Sequence, residues 1–374
     1  MLFAPEGDSD APDIPTPRSY AEARESPYSS QWQAAMDAEM ASWKSTGTYI
    51  DEVPPPGANI VSGMWIFRVK RPPGSPPAFK ACYVARGFSQ RQGVDFFQTF
   101  SPTPKMTTLQ VLLHVAAQRD YELHSLGFST AFLQGSLHEE IWLRRPPGFT
   151  GSFPAGTQWS LQRPVYGLRQ APHEWHDTLR TTLAALGFAP STSGPSLFLR
   201  TNTTLPPFYV LVYIDDLLFA TADTEALAHV KSELQKRHTC TDLGHSLSAP
   251  PSDESVEPSG PYPKLVGCLI TSGMGLVLGG RAQVVLTGHA DASWELRWLT
   301  YLLTDLGEAP RSPLVLYFDN KAMLALCQEH RLEHRTKHIA LRYFLARELQ
   351  QRGQLRLAYV ASQANTADVF TKAL

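Results

Sequence analysis

The chain has 374 residues, enough for two or three compact domains, and its composition is that of an ordinary globular protein, 43% hydrophobic and 18% charged. Its formal net charge of −2 argues against a uniformly basic nucleic-acid-binding protein, so any such surface must be a local cluster of Arg and Lys. The four cysteines have no C-x-x-C spacing and indicate neither a disulfide framework nor a zinc site. No signal peptide or membrane span is evident, so we expect an intracellular protein, cytoplasmic or nuclear and not secreted.

The first hundred residues predict a polar leader, a helix and a hairpin. Residues 1–26 are rich in Pro, Ser, Asp and Glu, and we predict a disordered leader there. Apolar side chains then recur at three- and four-residue spacing between Trp32 and Trp43, which predicts an amphipathic helix ending at Gly47. Two strands are predicted at 65–70 and 79–85, joined by a proline-rich loop at 72–77.

The rest of the sequence predicts helices and strands in mixed order, which favours an α+β fold. Residues 245–262 interrupt this pattern, because Ser, Pro, Gly and Glu dominate there and predict a flexible linker. The predicted helices are 106–119, 174–186, 224–237 and 295–306, and the predicted strands are 208–213, 217–222, 284–287, 314–318 and 355–360.

The most informative local motif is Tyr213-Ile214-Asp215-Asp216, placed between two apolar strands. Two adjacent carboxylates at a hairpin turn repel each other unless a positive charge balances them. A divalent ion such as Mg²⁺ (or Mn²⁺) is the usual answer, held by one or two carboxylates and by substrate phosphates. The alternative is a solvated turn, in which Asp is a favoured residue. The apolar flanks favour a metal site at the edge of a core.

Six further motifs surround this hairpin, and taken together in chain order they resemble the reverse transcriptases of copia-like retrotransposons. No single one of them is specific, but jointly they cover residues 27–244. The resemblance implies reverse-transcriptase fingers and a ferredoxin-like palm over that span. The motifs are Trp32–Trp43, Trp65–Lys70, Phe79–Gln90, Ala131–Gly135, Tyr166–Pro172 and Asp242–Gly244.

The chemistry that the resemblance implies is template-directed transfer of a nucleotide to a primer 3′ hydroxyl. Two metal ions roughly 4 Å apart activate the attacking oxygen and stabilise the leaving pyrophosphate. By this resemblance Asp215 and Asp216 are the catalytic residues and ligand the metal. The implied partners are an RNA template, a DNA primer and deoxynucleotide triphosphates, with no membrane.

The same resemblance implies four nucleotide-binding residues. Lys70 and Lys80 would face the triphosphate, whose charge basic groups must neutralise. Gln170 would contact the incoming nucleotide, and Phe132 would be the bulky gate that rejects a ribose 2′ hydroxyl. The alternatives are solvated lysines and a core aromatic ring.

The sequence also departs from the family pattern, and these departures predict a loss of polymerase activity. Gly127 stands where the family has a third metal-binding aspartate, and glycine has no side chain to coordinate a metal. Cys82 and Gln110 stand where Arg is usual, and Gly194 replaces an Asp. The chain passes from Asp242-Leu243-Gly244 into the linker, so the thumb is largely missing and the grip on a duplex should be weak.

The C-terminal third resembles the ribonuclease H of the same elements. Residues 245–283 would be a linker with a connection remnant, and residues 284–374 an incomplete α/β remnant. Asp291, Asp319 and Asp368 match three of the four carboxylates that would hold metal there. The Glu-bearing helix and two strands are missing at the Trp294–Glu295 junction, which would leave an exposed sheet edge.

We therefore predict a copia-like reverse transcriptase with a ribonuclease H remnant whose polymerase activity is impaired. Two alternatives to this prediction stay open from the sequence. The first is a non-catalytic nucleic-acid-binding or interaction protein derived from a retrotransposon, and the second is a pseudogene product without function. A basic surface converging on the palm would favour the first of these, because its binding should depend on salt.

Overall fold

The computed structural model describes ten segments of the chain, and everything below refers to them. They are residues 14–71, 76–149, 153–245, 268–271, 274–277, 287–289, 293–308, 314–318, 324 and 347–359.

The described residues form a mixed α+β fold, as predicted. The helices are Tyr20–Glu25 (α1), Ser29–Ser45 (α2), Met106–Arg119 (α3), Ala171–Ala185 (α4), Thr224–Arg237 (α5) and Ser293–Asp305 (α6). The strands are Tyr49–Glu52 (β1), Ile60–Val61 (β2), Gly63–Lys70 (β3), Ala78–Ala85 (β4), Glu122–Phe128 (β5), Trp142–Leu143 (β6), Gln158–Leu161 (β7), Phe188–Pro190 (β8), Leu197–Arg200 (β9), Phe208–Tyr213 (β10), Asp216–Thr221 (β11), Cys240–His245 (β12), Cys268–Thr271 (β13), Met274–Val277 (β14), Thr287–His289 (β15), Leu314–Phe318 (β16) and Leu355–Tyr359 (β17).

The N-terminal subregion is built around helix α2. Its apolar face carries Trp32, Met36 and Trp43 into a core shared with the β3–β4 hairpin and with the four-stranded sheet β1-β7-β6-β2. The β3–β4 pairing is antiparallel throughout and confirms the predicted hairpin. Since side chains alternate along a strand, one face of this hairpin packs on α2 and the other faces solvent.

The prediction of a disordered leader over residues 1–26 is wrong for its last part. Helix α1 begins after Ser19, whose hydroxyl accepts a hydrogen bond from the Glu22 amide. Ala23 is fully buried in the same core as Trp32. The polar composition of residues 1–26 therefore did not indicate the short helix α1, which is stabilised by tertiary packing.

A six-stranded antiparallel sheet, β12-β5-β11-β10-β9-β8, forms the centre of the molecule. One face, which includes Val210 and Phe219, packs against α4 and α5. The opposite face, which includes Leu211 and Leu218, packs against α3. Both faces are buried, which explains the nearly continuous apolar sequence of β10 and β11.

The described C-terminal residues pack on this central sheet. Helix α6 places Leu299, Leu302, Leu303 and Leu306 in the same core as α3. The Tyr209 hydroxyl donates to the Leu306 carbonyl oxygen at 2.9 Å.

At the end of α6, Asp305 accepts hydrogen bonds from Ser191, Thr192 and the Ser193 amide. Strands β15, β16 and β17 form a separate parallel sheet. The predicted helix 295–306 is confirmed as Ser293–Asp305, which starts two residues earlier, ends one residue earlier and runs through the Trp294–Glu295 junction.

Among the described helices, none is long and apolar enough to cross a membrane.

Candidate functional site

The turn between β10 and β11 presents Asp215 and Asp216 at the edge of the central sheet. Tyr213 pairs with Asp216, so the turn has two residues, and Ile214 has a φ of 55°. A β-branched residue rarely adopts this left-handed conformation, and such strain costs about 1–3 kcal/mol and collects at functional sites.

Two hydrogen bonds hold the strained turn in place. The Trp175 indole donates to the Ile214 carbonyl oxygen at 2.8 Å, and the Phe128 amide donates to the Asp215 carbonyl oxygen at 2.7 Å. Because Trp175 belongs to α4 and Phe128 to β5, the turn is fixed from both sides. The carboxylates are therefore presented by a rigid element.

The charge of Asp215 is only partly compensated within the protein. Burial and the neighbouring charge of Asp216 raise the pKa of Asp215, and Lys80 offsets only part of that rise. A raised carboxylate pKa at a partly exposed edge is a common feature of functional sites. A cation bound there would remove the repulsion between the two groups.

Gly127 lies directly opposite this pair on strand β5. Its register partner on β11 is Asp216, and a Cβ atom at position 127 would lie 3.3 Å from Asp216 Oδ1. The backbone of Gly127 is not in the left-handed region, so a larger residue is compatible with its conformation. A side chain at position 127 would enter the space in front of the Asp216 carboxylate.

These residues fit one divalent metal better than two. Within the described parts of the chain, no group of three or more His, Cys, Asp or Glu side chains is placed to hold a metal ion. Two carboxylates with substrate phosphates are a normal Mg²⁺ set. Two metals need a ligand that they share, and Gly127 offers none.

The predicted triphosphate lysines lie on the solvent face of the β3–β4 hairpin. Lys80 pairs across the hairpin with Arg68, and Lys70 pairs with Ala78. Lys80 is near enough to Asp215 to lower the pKa of its carboxyl group. Lys70 is also exposed, and it is not among the charges that shift the pKa of Asp215. Of the two lysines, it is therefore Lys80 that the Asp215 carboxyl responds to.

Phe132 and Gln170 occupy two different environments near the turn. The Phe132 ring is half-buried and lies 4.7 Å from the Tyr166 ring, centroid to centroid. Gln170 is fully buried, and its amide nitrogen donates to the Asp95 carbonyl oxygen at 2.8 Å. In this conformation Gln170 anchors a loop, and its proposed contact with a nucleotide stays a prediction.

The sequence analysis placed Tyr166 in the Tyr166–Pro172 motif but gave it no role. Burial and the nearby Asp215 carboxylate raise the pKa of its phenol, so Tyr166 is a neighbour of both Asp215 and Phe132. Its backbone carbonyl oxygen accepts from the Ala85 amide at 2.8 Å. The next residue, Gly167, has a φ of +90°, and a Cβ there would be 2.0 Å from the Ala85 carbonyl oxygen, so only glycine fits. Beyond the motif itself, this glycine is the feature of the sequence that marks the close approach of the two backbones.

The three aspartates predicted as ribonuclease H metal ligands, Asp291, Asp319 and Asp368, lie outside the described residues.

Comparison with known proteins places these features in a family. A family model described as reverse transcriptase (RNA-dependent DNA polymerase) matches residues 49–248. The chain is 27% identical to the Retrovirus-related Pol polyprotein from transposon RE2 of Arabidopsis thaliana, over 92% of this chain and 33% of that protein. It is 32% identical to the corresponding polyprotein from transposon TNT 1-94 of Nicotiana tabacum, over 61% of this chain and 17% of that protein.

The chain also matches a solved structure of a foamy viral protease-reverse transcriptase in complex with double-stranded DNA. The match covers 88% of this chain and 70% of the solved chain. Its sequence identity is 9% and its TM-score is 0.37. The chain spans about one third of the length of the Arabidopsis relatives. The alignment with the RE2 polyprotein runs over 482 residues, more than the 374 of this chain, so that relative carries internal residues that this chain lacks.

Proposed function

Because the chain belongs to the reverse transcriptase (RNA-dependent DNA polymerase) family of retrotransposon polyproteins, we propose that it keeps the fingers and palm of that enzyme but has lost efficient DNA synthesis. The observation that carries the proposal is the position of Gly127 opposite Asp216, where no side chain supplies a shared metal ligand. Removing one group that stabilises a transition state typically costs about 10²–10³ in rate.

The residues that remain would still bind parts of the substrate. Asp215 and Asp216 would hold one Mg²⁺ (or Mn²⁺) together with the phosphates of a deoxynucleotide. A bound metal supplies charge neutralisation and orientation of the phosphates. Lys80, which acts on Asp215, would face the triphosphate, with Lys70 further out. Phe132, braced by Tyr166, would limit space at the sugar.

We propose an RNA template and a DNA primer as the macromolecular partners, bound weakly. Strand β12 ends at His245, and no described residues follow until Cys268. The RE2 alignment is longer than this chain and supports the interpretation that internal segments are missing, and we propose that much of a thumb is among them. Phosphate contacts provide most of the affinity for a duplex, so their loss weakens the grip.

The direct test is primer extension on an RNA template with Mg²⁺ and, separately, Mn²⁺. We expect no extension above background with the full chain, while salt-sensitive binding of the template persists. Robust extension that Asp215→Asn abolishes would contradict the proposal. The same preparation tests the C-terminal remnant, for which we expect no cleavage of an RNA–DNA hybrid, since one of its four carboxylates is absent from the sequence pattern.

A second candidate is a non-catalytic nucleic-acid-binding protein. The supporting observation is the solvent face of the β3–β4 hairpin, where Arg68, Lys70 and Lys80 are all exposed. Deoxynucleotide binding distinguishes the two candidates. If Asp215→Asn leaves deoxynucleotide affinity unchanged in the presence of Mg²⁺, the carboxylates take no part and the second candidate is favoured.

A further inference from the structure

Helix α6 is far in sequence from the central sheet, yet its apolar side is buried in the core of that sheet. Its four leucines recur at three- and four-residue spacing, so they lie on one side of the helix, and each is at most 2% exposed. The buried cluster that contains them includes apolar residues of α3, β10 and β11, namely Val111, Leu112, Val115, Leu211 and Leu218. Because burial of apolar surface is the main favourable term in folding, this contact stabilises both partners.

The last residue of α6 makes polar contacts that the helix itself does not need. A carboxylate at the C-terminal end of a helix is disfavoured, because the helix dipole is negative there. Asp305 nevertheless occupies that position. Its carboxylate accepts hydrogen bonds from the hydroxyl groups of Ser191 and Thr192 and from the Ser193 amide. The presence of Asp305 is therefore explained by the loop between β8 and β9 that it binds, not by the helix that it ends.

Trp298 binds the same loop from a position two helical turns earlier. Its indole N–H donates to the Ser193 carbonyl oxygen at 2.6 Å, and Lys105 Nζ lies 4.3 Å from the centre of its ring. Because Trp298 and Asp305 are seven residues apart, they lie on the same side of the helix. Helix α6 is thus joined at two points to one loop of the central sheet, as well as to its core.

Two further contacts bind the residues that directly follow α6. The Tyr209 hydroxyl donates to the Leu306 carbonyl oxygen at 2.9 Å, and so satisfies one of the carbonyl groups that a helix end leaves without an intrahelical partner. Arg119, the last residue of α3, forms an ion pair with Glu308, whose side chain is 15% exposed. An apolar centre surrounded by hydrogen bonds at specific positions indicates a defined interface.

We propose that residues 293–308 of this chain serve as the resident partner of the α3 face of the central sheet, so that the two fold as one unit. Leu211 and Leu218, which share the buried cluster with α6, pair on the two strands that carry the Asp215 turn. This part of the C-terminal region therefore completes the core beneath the turn. Its role goes beyond the proposed function, because it requires neither metal binding nor nucleotide transfer.

Hydrogen–deuterium exchange of the full chain, followed peptide by peptide, tests the proposal. Leu302→Ala removes a leucine that is 0% exposed, and it should speed exchange at least roughly tenfold in α6 and also in α3 and β10. The physical reason is that loss of a core side chain destabilises every element that packs around it. The matched control is Tyr301→Ala, one residue earlier on the same helix but 45% exposed, which should leave exchange in α3 and β10 unchanged.

Asp305→Ala tests the polar contact without opening a cavity, and it decides the matter if Leu302→Ala does not fold. We expect the melting temperature of the full chain to fall by roughly 2–4 °C, because the loop loses its acceptor. If the carboxylate faced solvent, its removal from a helix C-terminus would raise stability instead. In the double variant Asp305→Ala/Ser191→Ala, the second substitution should cost less than it does alone, because the two groups share a hydrogen bond.

Three outcomes would overturn the proposal. The first is faster exchange of Leu302→Ala in α6 and the parallel sheet but not in α3 or β10, which would assign α6 to the parallel sheet alone. The second is a neutral or stabilising effect of Asp305→Ala. The third is a dimer in which protection of α6 depends on protein concentration, because α6 would then bind a second copy. Primer extension and Mn²⁺ binding enter none of these measurements, so this contact and the proposed function can fail independently.

Discussion

The two ends of strand β5 face charged clusters of opposite character. At one end, Gly127 lies beside Asp216 and opposite the Asp215 turn, where burial and like charge raise the pKa of Asp215. The protein leaves this charge without adequate compensation. At the other end, His124 belongs to a cluster in which every charge has a partner.

That second cluster is built on a buried lysine. Lys231 Nζ donates to Asp242 Oδ1 at 2.8 Å, to Oδ2 at 3.0 Å and to His124 Nδ1 at 2.8 Å. Burial alone would raise the pKa of Asp242, but the hydrogen bonds from Lys231 and from the Gly244 amide bring it below its ordinary value. The cluster joins α5, β5 and β12 at the sheet edge.

The difference teaches how to separate structural from functional charge on one sheet. A charged group that serves the fold is neutralised by the chain itself, whereas a group that serves a ligand is left for the ligand to neutralise. By this criterion Asp242 is structural, and Asp215 is the group that we propose serves a ligand. If the chain lost its polymerase activity through Gly127 alone, the charge of Asp215 would still be left for a ligand to neutralise.

The largest effect expected on the structural side is that of Lys231→Met. The substitution leaves Asp242 and His124 without their shared donor, and breaking a buried pair typically costs 3–5 kcal/mol. Because the Asp242 side chain is 42% exposed, water replaces part of the interaction and we expect a loss of about 2 kcal/mol in the free energy of unfolding. Urea unfolding at neutral pH measures it.

The matched control is Lys236→Met on the same helix. Lys236 is 66% exposed and pairs with Glu233, so its loss should change the unfolding free energy by less than about 0.5 kcal/mol. The cost of Lys231→Met should also shrink at acid pH. The lowered pKa of Asp242 contributes stability above its ordinary value of 3.8, and that contribution is lost as the pH falls below it. Equal costs for both variants would break the contrast between the two ends of β5.

A gain of metal affinity is expected from Gly127→Asp on the functional side. The new carboxylate would stand beside Asp216, where its Cβ makes a close but tolerable contact with Oδ1. We expect Mn²⁺ to bind at least roughly tenfold tighter, by analogy with the 10–100-fold cost of losing groups that support metal ligands. Titration of the full chain with Mn²⁺, followed by electron paramagnetic resonance, measures it without requiring a primer–template grip.

Gly127→Asn is the control, because it adds nearly the same volume without a charge. It should leave Mn²⁺ affinity unchanged or slightly lower. If Gly127→Asp binds Mn²⁺ no better than Gly127→Asn, then the space in front of Asp216 is not where a metal sits. The proposed loss of polymerase activity would then lose its structural basis at Gly127.

Local patterns in the sequence predicted much of this structure. The β3–β4 hairpin, helices α3 and α5 and the strands around Asp215 follow from apolar periodicity and turn residues, which act over a few residues. The turn carrying Asp215 and the absent carboxylate at Gly127 were both visible in the sequence. Their direct opposition across β5 and β11 became visible only in the register.

Long-range packing explains what the sequence did not indicate. Helix α6 packs on the central sheet beside α3. The spacing of its leucines predicts an apolar face but does not indicate which element that face packs against. Gln170 was expected to be open to a nucleotide but is fully buried with its amide bonded to the Asp95 backbone. Polar residue types do not reveal burial, because any of them is stable inside once hydrogen-bonded.

The smallest effect is expected from Asp215→Asn, and it tests the functional end of β5 by stability alone. Its raised pKa means that the fold favours the neutral carboxyl, so the wild-type chain loses stability as the pH rises through that value, above the ordinary 3.8. Asparagine is neutral at every pH, so the variant should melt at a higher temperature than wild type near pH 7. The difference should vanish near pH 4.

The effect of Mg²⁺ on melting distinguishes a metal site at Asp215 and Asp216 from a mere relief of the repulsion between the two carboxylates. If Asp215 and Asp216 bind the ion, millimolar Mg²⁺ should stabilise the wild-type chain more than Asp215→Asn and so narrow the gap in melting temperature near pH 7. A variant on the structural side, Asp242→Asn, should instead lower the melting temperature, because Lys231 loses its charged acceptor. If both substitutions shift stability in the same direction, the charge of Asp215 is compensated within the fold after all, and the distinction between the two ends of β5 fails.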